Sequence, residues 1–143
     1  MPVRTANAEW QGDLKNGKGT LSTETGTLKN VPYNAVSRFE QGDMTNPEEI
    51  LGAAHAGCFS MALANSLAKE GFKVNSIKTE DKVSIARVED GFRITKIEMF
   101  TVGDVDDIDE KKFNEFAEKS KIGCPVSQAL TGTEIVLTAE LKK

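Results

Sequence analysis

The chain predicts a mixed α+β fold with mostly antiparallel sheet, on three observations. Short alternating segments separated by turn dipeptides occupy roughly the first forty residues. One long uncharged helix follows. Two further alternating segments, two helical stretches and a last alternating strand complete the chain. Strands and helices are grouped in blocks, not interleaved as repeated βαβ units.

In the first block, residues 4–12 alternate, with Ala6, Ala8 and Trp10 on one side. Asn16-Gly17 is a hairpin turn pair. Residues 18–24, KGTLSTE, suit a second strand. Thr25-Gly26 turns the chain again, and a short strand is expected around residues 27–29. A loop containing Pro32 leads to a strand expected over residues 35–40. There Val36, Arg38 and Glu40 would share one face and Phe39 the other.

The long helix is the stretch NPEEILGAAHAGCFSMALANSLAKEGF, residues 46–72. Asn46 suits the cap, Pro47 the first helical position, and Glu49 the residue that reaches back to the cap. Lys69, Glu70 and Gly71 read as its end. Between residues 50 and 68 there is no Asp, Glu, Lys or Arg, so burial on most sides is expected. The run is nearly long enough for a membrane, but His55, Ser60, Asn65, Ser66 and the soluble-type caps argue against that. Gly52, Ala56, Ser60 and Ala64 recur every fourth residue and make a flat face, on which a helix from a second copy could lie.

Beyond the helix, residues 74–88 hold a strand, Glu89-Asp90-Gly91 a turn, and residues 92–102 the return strand. Phe92 and Ile94 are out of phase with Ile97 and Met99, which predicts a bulge or a strand covered on both faces. Asp109 caps a second helix with Phe113, Phe116 and Ala117 on its apolar face. Gly123 ends it, Cys124-Pro125 opens a short helical turn, and Ile135, Leu137, Ala139 and Leu141 alternate in the last strand.

With 143 residues, one domain spanning 1–143 is expected. Eighteen Lys and Arg against twenty-two Asp and Glu give a net charge of -4, which disfavours a nucleic-acid surface. The N-terminal MPVRTANAEW lacks the apolar core of a signal peptide, so a cytoplasmic location is expected. In that compartment two cysteines read as reduced core residues or as a redox pair. Two cysteines far apart and one histidine make a poor zinc site.

Taken singly, these residues have ordinary roles. Cys58 suits a buried, inert thiol, and His55, three residues before it, a hydrogen-bonded core histidine, although a Cys–His pair is open to them. Cys124 stands at a helix start, where free backbone N–H groups lower a thiol pKa. By that physics alone Cys124, not Cys58, is the more acidic thiol. Arg38 would ordinarily form a surface ion pair and Glu48 would complement the helix dipole.

Together they form a pattern. The stretches NPEEILGAAHAGCFSMALA around Cys58 and GCPVSQAL around Cys124 closely resemble the OsmC family, within the OsmC/Ohr group of thiol peroxidases. The N-terminal AEWQGDLKNGKGTLSTETG, the segment PYNAVSRFE and the strand GFRITKIEM extend the resemblance along the whole chain. It implies an OsmC-like fold, with sheets wrapped around two long central helices in an intertwined homodimer. It implies reduction of organic hydroperoxides, and more weakly of hydrogen peroxide, in oxidative or osmotic stress. By motif the peroxidatic cysteine falls on Cys58, the resolving cysteine on Cys124, and the active-site arginine and glutamate on Arg38 and Glu48. No cofactor or metal is implied; an external dithiol, such as a lipoyl protein, would recycle the enzyme.

The chemistry agrees with that assignment. Only about 3% of a free thiol is ionised at pH 7. A guanidinium beside the sulfur favours the thiolate, and a carboxylate can hold the guanidinium fork. Cys58 would become a sulfenic acid, condense with Cys124 in the same chain, and be restored by dithiol. Phe39, Met44, Ile50, Leu51 and Phe59 are apolar neighbours that could receive an alkyl group. Glu48 and Cys58 are ten residues apart, about 15 Å along a helix and roughly 80° around it. If both serve one site, Glu48 could come from the other copy. Two rival functions remain on the sequence: non-enzymatic binding of an apolar ligand, and a Cys–His hydrolase using His55.

Overall fold

The computed structural model describes all residues, 1–143, in ten elements. They are β1 (Ala6–Gln11), β2 (Lys18–Thr23), β3 (Val31–Tyr33), α1 (Ala35–Phe39), α2 (Pro47–Lys69), β4 (Val74–Val88), β5 (Gly91–Val105), α3 (Glu110–Gly123), α4 (Pro125–Ala129) and β6 (Glu134–Leu141). This is the mixed α+β architecture expected. The chain forms two compact units, Met1–Ile50 and Leu51–Lys143.

The first unit holds an antiparallel sheet in the order β1-β2-β3. Gly19 of β2 pairs with both Trp10 and Tyr33, and a Cβ there would stand 2.6 Å from each ring, so only glycine lets the two aromatics meet. Two expectations are corrected. Residues 24–30 are turn, closed by hydrogen bonds between Thr23 and Leu28, and the third strand lies later, over Val31–Tyr33. Pro32 is tolerated there because β3 is an edge strand. Residues 35–39 are a helix, not a strand. Asn34 Oδ1 accepts from the Ser37 N–H at 2.9 Å and Ser37 Oγ accepts from the Asn34 N–H at 3.0 Å. This reciprocal cap satisfies donors that a strand would leave unpaired, and it outweighs the alternating pattern.

The second unit is built on the sheet β4-β5-β6. β4 and β5 form a long antiparallel hairpin, and Gly91 in its turn has φ +129°. Ser84 pairs with Lys96 and Ile85 with Ile94, which leaves Thr95 as the bulge behind the phase switch. β6 pairs with β5 in parallel, and α3 and α4 make the crossover that a parallel pair requires. Gly103 of β5 lies under the Phe113 ring, where a Cβ would come within 2.4 Å. The core is Phe59, Leu63 and Leu67 of α2 with Ile97, Met99, Phe113, Ala117, Cys124 and Ala139.

α2 begins on an Asn46 cap, as the Asn46 side chain accepts from the Glu49 N–H at 2.8 Å. Glu49 itself turns to the Thr45 hydroxyl, 2.7 Å, not back to the cap backbone. The helix ends where Gly71, at φ +91°, lets the Phe72 N–H reach the Leu67 carbonyl and its own N–H the Ala68 carbonyl. The row of small residues serves a different purpose from the one expected. Gly52 faces Val83 and Asp81, and Ser60 Oγ lies 2.8 Å from Thr79 Oγ1, so this face lies on the chain's own β4. The face left open carries Ala53, Ala54, Gly57, Met61 and Ala68. α2 has the length and apolarity of a membrane span, but its Phe59, Leu63 and Leu67 are core residues of a sheet-bearing unit.

Candidate active site

The first unit brings Arg38 and Glu48 together. Arg38 comes from α1, and Glu48 from the first turn of α2. The Asn46 side chain ties the two helices by donating to the Ser37 carbonyl, 3.1 Å. Arg38 Nε donates to Glu48 Oε1 at 3.0 Å, and a terminal guanidinium nitrogen forms an ion pair with the same oxygen at 2.9 Å. The two-oxygen fork anticipated for this pair is therefore a two-nitrogen grip on one oxygen. Glu48 Oε2 is buried and has no partner in the chain. Arg38 and Phe39 also line a cleft with Trp10, Leu14 and Tyr33. Of the apolar candidates for a substrate pocket, Phe59 is excluded, because it is wholly buried in the core of the second unit.

The second unit brings Cys58 and Cys124 together. Cys58 lies mid-way along α2 and Cys124 at the junction of α3 and α4. Their sulfurs are 2.7 Å apart and both thiols are free. Gly57 and Gly123 precede them, and a Cβ at either would meet nothing within 4 Å.

The two thiols differ in acidity. Burial pushes the Cys58 thiol up, and its hydrogen bond with Cys124 pushes it further, against a weaker pull from the Val126 backbone. Burial also opposes a thiolate at Cys124. There the hydrogen bonds from the Cys58 side chain, the Ser127 backbone and hydroxyl, and the Val126 backbone outweigh it. Cys124 thus lies below the ordinary thiol value, as its position at a helix start suggested.

His55 is wholly buried, and it does not pair with Cys58. Its Nδ1 meets Asp81 Oδ2 at 2.5 Å and its Nε2 meets Ser127 Oγ at 2.7 Å. Sequence reasoning named His55 and missed both partners. Asp81 could have been found as an acidic residue in phase with Thr79 and Val83, the face of β4 that meets α2. Ser127 stands three residues after Cys124, one helical turn on.

Two free thiols thus stand in contact on an α+β scaffold. Residues 40–140 match the family described as OsmC-like protein. Over 139 residues the chain is 49% identical to Peroxiredoxin OsmC of Escherichia coli (strain K12), covering 97% of this chain and 96% of that one. It is 32% identical over 140 residues to the organic hydroperoxide resistance protein OhrB of Bacillus subtilis (strain 168), covering 96% and 94%. The crystal structure of B. subtilis OhrB superposes with a TM-score of 0.67 at 26% identity, covering 96% of this chain and 98% of that one. The OsmC-like protein of Mycoplasma pneumoniae shares the fold at a TM-score of 0.76 and 14% identity, covering 99% of each chain. This chain belongs to the OsmC-like protein family.

Proposed function

We propose that this protein is a thiol-dependent peroxidase that reduces organic hydroperoxides, and hydrogen peroxide more weakly, through Cys58 and Cys124. The observation that carries the reading is the 2.7 Å approach of two free sulfurs on separate elements. Names of relatives, a peroxiredoxin and a hydroperoxide resistance protein, support the same class.

Cys58 attacks the peroxide oxygen as a thiolate, the alkoxide leaves, and Cys58 becomes a sulfenic acid. Cys124 then attacks the Cys58 sulfur, water is lost, and a disulfide forms within one chain. An external dithiol, of which a lipoyl protein is one example, returns both thiols. No metal or organic cofactor enters this cycle.

Within its own unit Cys58 is the less acidic thiol, so a cation is needed to make it the attacker. Arg38, gripped by Glu48, is the group we assign to that role. A homodimer can deliver the Arg38–Glu48 pair of one protomer to Cys58 of the other. The guanidinium also offers donors to the departing alkoxide. Defence against oxidative or osmotic stress in the cytoplasm is the setting this chemistry suits.

The hydrolase reading loses its base, since both ring nitrogens of His55 are engaged away from Cys58. A peroxidase assay tests the proposal: an alkyl hydroperoxide and hydrogen peroxide side by side, with several dithiols as reductant. Faster turnover of the alkyl substrate is expected. Binding without turnover of either peroxide contradicts the proposal and favours an apolar-ligand carrier.

A further inference from the structure

The two-cysteine cycle leaves one buried titratable group without a task. His55 is 0% exposed, Ser127 is 4% exposed and the Asp81 side chain 1%. They belong to three elements: His55 to α2, Asp81 to β4 and Ser127 to α4. A carboxylate only accepts, so His55 Nδ1 carries a hydrogen and donates it to Asp81. That bond fixes the ring and leaves Nε2 facing Ser127 Oγ, 2.7 Å away. The second Asp81 oxygen is buried without a partner in the chain, which leaves the His55 bond to offset the burial of this carboxylate.

α2 and α4 therefore meet at two rungs. His55 and Cys58 are three residues apart on α2, and Cys124 and Ser127 three apart across the start of α4, about one helical turn in each case. The His55–Ser127 rung is 2.7 Å from nitrogen to oxygen, and the Cys58–Cys124 rung 2.7 Å from sulfur to sulfur. On the α4 side the turn that joins the rungs is closed by the Gln128 N–H on the Cys124 carbonyl, 3.0 Å. α4 needs an anchor, because it has five residues and no side-chain bond at its N-cap, and so short a helix does not hold itself. Val126 and Leu130 pack against the core, but apolar contact is not directional.

We infer that His55 is a positioning residue for disulfide formation: oriented by Asp81, it pins Ser127 and the α4 turn, so that the Cys124 sulfur stays against Cys58 while both thiols are free. The inference rests on the two-cysteine reading above. The pin reaches each sulfur through the backbone of one turn, and none of the three residues touches substrate. Closing a disulfide of about 2 Å draws the sulfurs together by less than about 1 Å, so the second rung survives the cycle. The pin thus acts as a raised effective concentration of Cys124 at Cys58, set before the bond forms. A sulfenic acid so placed is captured before a second peroxide can overoxidise it.

Full-length protein in dithiothreitol redox buffers gives the disulfide equilibrium, and single turnover with cumene hydroperoxide gives the two rates. Cys58 sulfenic acid is trapped with dimedone and the disulfide is counted by mass spectrometry. In Ser127→Ala and Asp81→Ala the equilibrium and the rate of disulfide formation are each expected to fall by about tenfold, the former raising the potential by about 30 mV. Sulfenic acid is expected within about twofold of the wild-type rate, and Asp81→Asn, which keeps an acceptor for Nδ1, within about threefold of wild type throughout. A merely structural role would slow both steps together. Wild-type values in both alanine variants, equal slowing of both steps, or no rescue by Asp81→Asn overturns the pin. So does a Ser127→Ala defect that vanishes near about pH 10, where Cys124 is ionised in every variant and only its position can differ. Should the variants misfold, hydrogen exchange on the wild type decides. The Gln128 and Leu130 amides are expected to exchange within about tenfold of each other's rate in the reduced and disulfide forms, and α4 opening beyond that in the reduced form overturns the pin. A wild type that forms no Cys58–Cys124 disulfide fails the two-cysteine reading; a disulfide that forms equally well without the pin fails this inference alone.

Discussion

Cys58 is held in surroundings that raise its thiol above the ordinary value, through burial first and then through Cys124. A nucleophile so placed depends on charge brought from elsewhere. Replacing Arg38 by Gln should therefore leave Cys58 protonated at neutral pH. The sign follows from the raised pKa: the rate of Cys58 oxidation by hydroperoxide falls about tenfold or more at pH 7 and recovers as pH rises. Stopped-flow oxidation across pH should show its midpoint moved up by about 1–3 pH units. A pH profile unchanged from wild type contradicts the role given to Arg38. Cys58→Ser should lose about 10³-fold or more in peroxidase turnover while keeping its circular dichroism spectrum. Substantial turnover in that variant would transfer the nucleophile's role to Cys124. Cys124→Ser should reduce one equivalent of hydroperoxide and then stall under dithiol, with Cys58 open to overoxidation.

Among the elements, α1 has the largest influence for its size. Its five residues are fixed by the Asn34–Ser37 reciprocal cap, and that cap aims Arg38 at Glu48. Asn34→Ala should cost about 0.5–2 kcal/mol of stability and lower kcat/KM for hydroperoxide without touching a thiol. Urea unfolding and steady-state kinetics check both, and unchanged values in both remove α1 from the account. This helix was also the element least legible in the sequence, because Val36, Arg38 and Glu40 alternate as a strand would. The Asn-x-x-Ser spacing was the better guide, being a local bond with defined partners. The Asp109 cap and the Gly71 helix end were readable, since each depends on one residue type at one backbone conformation, while the switch of phase between Ile94 and Ile97 offered a bulge as one of two readings and the pairing register chose it. The Gly52/Ala56/Ser60 row was readable as a flat face but not as to its occupant. Close approach is a property of the row, and which backbone approaches is decided by the strand that follows. For the same reason Arg38, Glu48, Cys58 and Cys124 could be listed from motifs, whereas Asp81 and Ser127 became visible only when β4 and α4 were placed against His55.

At the scale of the whole molecule, α2 is about 35 Å long and leaves a face of Ala53, Ala54, Gly57, Met61 and Ala68 open in the single chain. Met61 is 75% exposed there. In the homodimer proposed above, a second copy of the chain would cover this face and carry Arg38 and Glu48 to Cys58. Met61→Glu should then give a monomeric mass in light scattering at micromolar protein, together with loss of most turnover. A monomeric wild type with full activity contradicts the dimer. Mixing Cys58→Ser chains with Glu48→Ala chains should restore turnover if the pair acts across protomers, and no recovery counts against that arrangement.

The central claim is that Cys58 and Cys124 of one chain are the two ends of a redox cycle. Mass spectrometry after one equivalent of alkyl hydroperoxide, paired with a non-reducing gel, tests it most directly. A Cys58–Cys124 link in nearly every chain and no covalent dimer are expected. Two free thiols after the peroxide is consumed, or a disulfide-linked dimer as the main product, would contradict it.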